Sequence, residues 1–163
     1  MNPKVAVVMG SKSDLPKMKR AMEILDMFEV EYEARILSAH RTPDLLIDYA
    51  KGLAKRGVEV VIAGAGMAAH LPGAIAANCL LPVIGVPISH GPLSGLDSLL
   101  SMVQMPSGIP VGTVGIDNSA NAAILAIEIL ALKDERVRER LERYREEEKR
   151  RVSLESIDGD DQG

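Results

Sequence analysis

The sequence predicts an α/β fold in which helices cover both faces of one parallel sheet. Two observations favour this fold class, and a third predicts the nature of its core. Short apolar runs alternate with longer segments whose apolar residues recur at helical spacing. The short runs are almost continuously apolar, which is typical of strands buried on both faces. Aromatic residues make up only 2% of the chain, so we expect an aliphatic core.

Five apolar runs are predicted to be strands, at 4–9, 31–38, 59–64, 82–87 and 109–115. Helical spacing follows each run, at 14–28, 42–56, 68–78, 93–105 and 118–132. The first helix should bury the face that carries Leu15, Met18, Met22 and Leu25. In the second helix, Thr42 suits the N-cap and Pro43 the first position. Five strands in this alternation predict a three-layer flavodoxin-like sandwich of strand order 2-1-3-4-5, with a ligand crevice between strands one and three.

The chain is expected to form one α/β domain over 1–155, including a charged C-terminal helix, with a disordered tail over 156–163. The charged helix, from Lys133 on, should be solvated and supported by i,i+4 ion pairs. The segments 68–81 and 118–132 lack a polar face, and one small sheet cannot readily bury both. We therefore expect their surfaces to form a homo-oligomer, which sedimentation as a 17.5 kDa monomer would rule out.

Composition excludes several classes of function. The net charge of -4 and the scarcity of aromatic residues disfavour nucleic-acid binding. Cys79 is the single cysteine, so no intrachain disulfide is possible, and its apolar surroundings indicate an inert thiol. The chain has neither a membrane-spanning run nor the apolar stretch of a signal peptide, so we expect a cytoplasmic protein. Three histidines in separate loops predict no metal site.

The loop after the first strand, "MGSKSDLP" at 9–16, suits an anion. Gly10 allows a tight turn, and Ser11, Ser13 and Asp14 offer polar groups at a helix N-terminus. Free N–H groups there favour phosphate. Asp14 would repel phosphate unless it faces sugar hydroxyls. The alternative is that Ser13 or Asp14 only caps the helix. The loop matches neither the dinucleotide-binding nor the Walker pattern.

Two further loops carry groups suited to chemistry. In "SAHRTP" at 38–43, the Arg41 guanidinium fits phosphate, and His40 can donate or accept a proton near neutral pH. In "AGAGMAAHLPG" at 63–73, small residues let a ligand approach backbone N–H groups, and His70 lies early in the next helix. Either histidine could instead be a bystander or a structural residue. No serine-hydrolase G-x-S-x-G elbow is present.

Taken together, five blocks between residues 4 and 132 resemble the PurE family of purine biosynthesis. They are "MGSKSD", "SAHRTP", "AGAG-AAHLPG", "LSGLDSLLSMVQMPSGIPVGTV" and "NSANAAILA". The match is to the class I branch, the N5-carboxyaminoimidazole ribonucleotide mutases. The resemblance implies a flavodoxin-like fold, a homo-octamer, a small-molecule ribonucleotide substrate, and no metal or organic cofactor. It also implies a mutase that moves a carboxylate from the exocyclic N5 to ring C4, by decarboxylation and recarboxylation.

The resemblance also assigns roles by position. It implies that His40 is the acid/base residue and that Ser11, Asp14 and Arg41 bind the ribonucleotide. It places the other pocket residues at Ser13, Ser38, Gly64, Ala65, Gly66, Met67, Ala68, His70 and Leu71.

Two residues depart from the family pattern. Met67 stands where the family usually has glycine. Its side chain either crowds the carboxylate pocket or points away, and a positive φ at this position would cost about 1–2 kcal/mol. His90 stands where we expect a small or polar residue, and it is interpreted as an incidental loop histidine.

Three other functions stay open. The class II branch carboxylates aminoimidazole ribonucleotide with free CO2, although "SAHRTP" and "AAHLPG" favour class I. A non-catalytic nucleotide- or flavin-binding module would explain the sheet but not the placement of His40 beside Arg41. A homologue inactivated by Met67 is the third.

Overall fold

The computed structural model describes residues 2–154 and contains a five-stranded parallel sheet. Its strands are β1 (Val5–Met9), β2 (Tyr32–Ile36), β3 (Val60–Gly66), β4 (Val83–Ile88) and β5 (Gly112–Thr113). They lie in the order β2-β1-β3-β4-β5, which confirms the predicted order and the flavodoxin-like fold. The predicted tail over 156–163 lies outside the described residues.

The two edge strands differ from the prediction. β5 is much shorter than the predicted 109–115, and only Gly112 and Thr113 pair with β4. Pro110 lacks an N–H group and cannot extend the ladder. β2 is partly exposed along its length, as its charged sequence "YEARI" allows at an edge. The central strands β1, β3 and β4 are buried almost throughout, in agreement with their apolar runs.

Six α-helices connect and follow the strands within residues 2–154. They are α1 (Leu15–Met27), α2 (Pro43–Gly52), α3 (Leu71–Ala76), α4 (Leu96–Val103), α5 (Ser119–Ala131) and α6 (Glu135–Leu154). In α1, Met18 and Leu25 are buried as predicted, whereas Leu15 at the first turn is 37% exposed. None of these helices combines the length and apolar character needed to cross a membrane.

Local backbone chemistry sets the helix ends. Thr42 occupies the N-cap position of α2 and Pro43 its first turn, as predicted, but the Thr42 side chain makes no capping hydrogen bond. The Thr42 hydroxyl donates instead to the Ser38 carbonyl, 3.0 Å away. After α2 the chain continues as a short 3₁₀ helix rather than as α-helix up to residue 56. α3 begins at Leu71, later than the predicted residue 68, and Pro72 lies in its first turn.

Alternate residues of the central strands supply two apolar layers. Val5, Val7 and Met9 of β1 face the layer that contains α1 and α5, whereas Ala6 and Val8 face the layer of α2 and α3. All five side chains are essentially excluded from solvent. The sheet is therefore buried on both faces, and its polar groups are confined to its edges and strand ends.

α6 covers part of α5 within the chain, while several apolar residues of α5 stay only partly buried. Val137, Leu141 and Tyr144 of α6 pack on the layer that contains α5, and the Tyr144 ring meets Phe28 edge-on at 5.3 Å. The expectation that the α5 surface takes part in a homo-oligomer stays a prediction. The ion pairs described within α6 join residues three apart rather than four, as Arg138 does with Glu135.

Candidate active site

Loops after β1, β2, β3 and β4 line a cavity of about 630 Å³ at the carboxyl ends of the strands. Ligands bind at this end of open parallel sheets, where neighbouring connections diverge. The cavity is lined by Gly10, Ser11, Ser13, Asp14, Ser38, Ala39, His40, Arg41, Ala65, Gly66, Met67, Ala68, His70, Leu71, His90 and Gly91. The three loops singled out in the sequence therefore meet at one place.

Gly64 is the exception among the residues predicted to line the pocket. It is buried in β3, and its carbonyl accepts a hydrogen bond from the Gly10 N–H at 3.3 Å. Its bare Cα faces the Met18 side chain, so a Cβ at this position would clash with the Met18 sulfur. Gly64 thus lies below the cavity rather than in its lining, and its predicted part in substrate binding stays a prediction.

A second cavity, of about 680 Å³, opens at the opposite end of the sheet, beside the amino ends of β1, β2 and β3. Most of its cations are already paired there. The carboxylate of Glu59 lies 2.8 Å from Lys4 Nζ and 2.6 Å from Lys133 Nζ, and Arg140 pairs with Glu29. Because its lining contains no histidine and three of its four cations are paired with carboxylates, this cavity is the poorer candidate for acid/base chemistry.

The first loop is held by its own side chains. Ser11 caps a short 3₁₀ helix, Lys12–Asp14, and its Oγ accepts hydrogen bonds from the Ser13 N–H (3.3 Å) and the Ser13 hydroxyl (3.0 Å). In return, Asp14 Oδ2 accepts the Ser11 N–H at 3.0 Å, which completes a capping box. Asp14 thus takes part in a capping box of the 3₁₀ helix but makes no side-chain cap on α1, and both serines and Asp14 also line the cavity.

Arg41 connects the first loop to the second. Its guanidinium donates to the Gly10 carbonyl (3.1 Å) and to Ser38 Oγ (3.2 Å), and Ser38 Oγ also accepts the Arg41 backbone N–H. Within residues 2–154, no carboxylate lies within 4 Å of this guanidinium. Its positive charge is thus oriented by neutral acceptors and stays available to an anionic ligand.

His40 and His70 lie side by side at the mouth of the cavity. Their rings are stacked, with centroids 5.5 Å apart and an interplanar angle of 15°. Both residues are exposed, so either imidazole can exchange protons with a bound ligand or with water. The sequence predicted each histidine separately, and the sheet order brings the two together.

His90 was interpreted as incidental, and that interpretation was wrong. Its Nε2 lies 3.1 Å from Asp14 Oδ1, and its ring lines the cavity. The sequence did contain a usable signal. His90 follows β4, which neighbours β3 in the predicted order, so the loop after β4 reaches the same end of the sheet as the loop after β3.

Met67 has a positive φ, which was expected to be possible because the family usually has glycine at this position. Its φ is 52°, and its side chain is 55% exposed and lines the cavity instead of pointing away. The sulfur packs over Gly91, where an added Cβ would lie 3.6 Å from it. The methionine is thus accommodated, at the cost of a strained backbone, against a loop that has no side chain at this point.

A polar cluster that the sequence did not reveal anchors the loop after β4. Lys17 Nζ donates to the Ser89 carbonyl at 2.6 Å and lies 3.1 Å from Asp117 Oδ2, while the Ser89 N–H donates to Asp117 Oδ1 at 2.9 Å. Burial alone would raise the pKa of Asp117, but the hydrogen bonds from Ser89 and Lys17 outweigh it and hold that pKa below its usual value. These contacts fix the residue that precedes His90.

The fold and the site together define an α/β enzyme whose loops present hydroxyl, guanidinium and imidazole groups at one cavity, and these groups suit an anionic small molecule. Within residues 2–154, no three His, Cys, Asp or Glu side chains are grouped to hold a metal. The chain belongs to the AIR carboxylase family, whose model matches residues 4–151. This confirms the family that the five sequence blocks predicted.

Known relatives agree with this assignment. The chain is 60% identical over 148 residues to the N5-carboxyaminoimidazole ribonucleotide mutase of Pyrococcus abyssi, which covers 91% of this chain and 85% of that protein. It is 61% identical over 130 residues to the phosphoribosylaminoimidazole carboxylase of Schizosaccharomyces pombe, covering 80% of this chain but 24% of that protein. The crystal structure of Treponema denticola PurE superimposes with a TM-score of 0.85 at 29% identity, covering 93% of this chain and 95% of that one.

Proposed function

We propose that this chain is an N5-carboxyaminoimidazole ribonucleotide mutase, which forms the 4-carboxy-5-aminoimidazole ribonucleotide of purine biosynthesis. The observation that carries the proposal is the meeting of His40, Arg41 and the serine loop in one cavity. The 60% identity to an archaeal mutase over most of both chains supports it.

In this proposal the ribonucleotide lies along the first two loops. The Arg41 guanidinium, with Ser11 and Ser13, binds the 5′-phosphate through charge-assisted hydrogen bonds. The Asp14 carboxylate faces the ribose hydroxyls, which donate to it. Ser38 orients Arg41 at 3.2 Å and thereby sets the position of the phosphate.

His40 carries out the proton transfers. Its imidazolium donates a proton to N5 as the N5–carboxylate bond breaks, and the products of this step are CO2 and aminoimidazole ribonucleotide. Ring C4 then attacks the carbon of CO2, and the neutral imidazole removes the C4 proton. The second transfer regenerates the acid that the first consumed, so one histidine suffices.

Retention of CO2 is what the third loop contributes. The segment Ala65 to Ala68, with His70 and Leu71 after it, offers backbone N–H groups and small side chains to the migrating carboxylate. Holding CO2 against the ring replaces a dilute encounter by an intramolecular one, which is worth about 7 kcal/mol or more. Met67 partly covers this region and is proposed to help exclude water.

The role of His40 is tested by His40→Asn, with the exposed Lys55→Asn as a control far from the cavity. General acid/base catalysis contributes about 10²–10⁴-fold, so kcat should fall by at least that range. Binding of the 4-carboxy product, measured by calorimetry, should change less than threefold, because Arg41 and Ser11 remain. Near-normal turnover in His40→Asn would contradict the assignment.

A second candidate function is carboxylation of aminoimidazole ribonucleotide with free CO2. The similarity to the fission-yeast carboxylase favours it, although the chain covers only 24% of that protein. The two activities differ in their requirement for bicarbonate. A mutase converts the N5-carboxylated substrate without added bicarbonate, whereas a carboxylase does not.

The assembly proposed for this enzyme is a homo-octamer of a single-domain chain in the cytoplasm. The α4 face supports association, because it presents an apolar stripe to solvent. Leu93, Leu96, Leu100 and Val103 are between 49% and 57% exposed and recur at helical spacing. Sedimentation of the protein at micromolar concentration tests this, and a 17.5 kDa species would rule it out.

A further inference from the structure

The cavity contains one acidic side chain, and that side chain is buried. Among the cavity-lining residues, all of which are described, Asp14 alone carries a carboxylate, and it is only 4% exposed. Oδ2 accepts the Ser11 N–H at 3.0 Å, and Oδ1 faces His90 Nε2 at 3.1 Å. A carboxylate removed from water needs such donors, because an unpaired buried charge is very costly.

Contacts on two sides of His90 hold it in this position. The Ser89 N–H and carbonyl are anchored by Asp117 and Lys17, which fix the start of the loop. On the other side, Gly66 leaves room for the ring, since a Cβ at Gly66 would lie 2.8 Å from His90 Cδ2. The His90 side chain is 36% exposed, and its accessible part faces the cavity.

This geometry matters because the proposed substrate is an anion. A phosphate that approaches Arg41 also approaches the Asp14 carboxylate, which opposes its binding. An N–H donor at His90 Nε2 reduces the negative potential of the carboxylate. The same bond fixes the carboxylate so that it can accept from ribose hydroxyls without reorientation.

We propose that His90 is a positioning residue that sets the affinity for the ribonucleotide by holding and partly neutralising Asp14. This inference rests on the proposed function for the identity of its ligand. His90 acts through Asp14 on the ribose and phosphate, not on the migrating carboxylate, so its contribution should appear in KM and not in kcat.

The experiment compares the wild type with His90→Ser, His90→Gln and the distant control Lys55→Ser. Hydrogen bonds to charged groups contribute about 1.5–3 kcal/mol, which corresponds to about 10- to 100-fold in binding. His90→Ser should therefore raise KM at least tenfold with kcat within threefold of the wild type. His90→Gln keeps a side-chain N–H donor and should restore KM to within about threefold. A fall in kcat larger than the rise in KM, or a Gln variant as weak as the Ser variant, would overturn the inference.

The route through Asp14 is tested by adding Asp14→Asn. In that background the charge is absent, so His90→Ser should change KM by less than threefold. If His90→Ser weakens binding equally with and without the Asp14 charge, His90 does not act through Asp14.

A second readout separates this inference from the proposed function. Ribose 5-phosphate shares the sugar and phosphate of the substrate, and its binding can be followed by NMR titration of the wild type and both His90 variants. If the wild type fails to convert the N5-carboxylated substrate, the proposed function fails, while a tenfold weaker Kd in His90→Ser with recovery in His90→Gln still supports the inference. Equal Kd values in the wild type and His90→Ser, or no binding to the wild type, would overturn it.

Discussion

Met67 offers the sharpest test of the backbone geometry. At this position a glycine variant should be more stable than an alanine variant, which is the reverse of their usual order. With φ 52°, any residue with a Cβ pays about 1–2 kcal/mol here. Glycine has no Cβ and avoids that strain, but it lowers the free energy of unfolding by about 0.4–1 kcal/mol, because the unfolded chain gains conformational freedom. The difference predicts that Met67→Gly is more stable than Met67→Ala by about 1 kcal/mol.

The wild-type methionine should lie near the glycine variant in stability. Its side chain is 55% exposed, so roughly half of the 1.5–3 kcal/mol of a fully buried methionine, about 1 kcal/mol, is lost in either variant. For Met67→Gly, the relief of backbone strain offsets both the lost packing and the greater entropy of the unfolded glycine chain. For Met67→Ala, nothing offsets the lost packing.

The assay is urea unfolding followed by circular dichroism at one fixed protein concentration. Met22, half-buried within α1, is the matched control. There the backbone is helical, so Met22→Gly should be less stable than Met22→Ala by about 1 kcal/mol. A reversal of sign between the two positions is the predicted result. If the alanine variant at position 67 is as stable as the glycine variant, the backbone strain assigned to Met67 is wrong.

Three further predictions concern Gly64 below the cavity, Glu59 at the amino end of β3, and Arg41 in the cavity. Gly64→Ala directs a methyl group into the Met18 side chain and should lower the free energy of unfolding by about 1–3 kcal/mol, measured in urea; an unchanged midpoint would contradict that packing. Burial alone would raise the pKa of Glu59, but hydrogen bonds from Lys133 and a second lysine outweigh it and hold that pKa below its usual value. The Glu59 carboxylate therefore stabilises the fold at pH values above its unfolded pKa, and this stabilisation is lost as the pH falls through its folded pKa. Glu59→Gln should therefore lose less unfolding free energy than the wild type below about pH 4.5. Equal acid unfolding profiles of the two proteins would refute this. Arg41→Lys should raise KM about tenfold or more, because an ammonium cannot reproduce the fork of donors; an unchanged KM would show that Arg41 does not bind the phosphate.

Much of the fold followed from elementary patterns in the sequence. Alternation of apolar runs with helical spacing is enough to predict a parallel sheet, and the order β2-β1-β3-β4-β5 was correct. That order brings the strand ends together, so loops far apart in the chain had to converge at one cavity. His40, Arg41 and Ser11 do line one cavity, as these patterns predict, and their roles stay predictions.

The remaining features depend on packing that no local pattern encodes. The contact between His90 and Asp14 requires the exact path of the loop after β4, which is set by Asp117 and Lys17, residues distant from it in sequence. The thin apolar line of α6 was visible in the sequence, but only the structure showed that it covers part of α5. Gly64 matched a family motif and yet lies below the cavity, because a motif does not specify which face of a strand its members occupy.

The central claim, a mutase rather than a carboxylase, is tested most directly by supplying freshly prepared N5-carboxyaminoimidazole ribonucleotide at low bicarbonate. Formation of the C4-carboxylated product is then followed with and without the purified protein. The proposal predicts protein-dependent conversion whose rate does not rise when bicarbonate is added. Failure to convert this substrate, together with bicarbonate-dependent carboxylation of aminoimidazole ribonucleotide by the same protein, would contradict it.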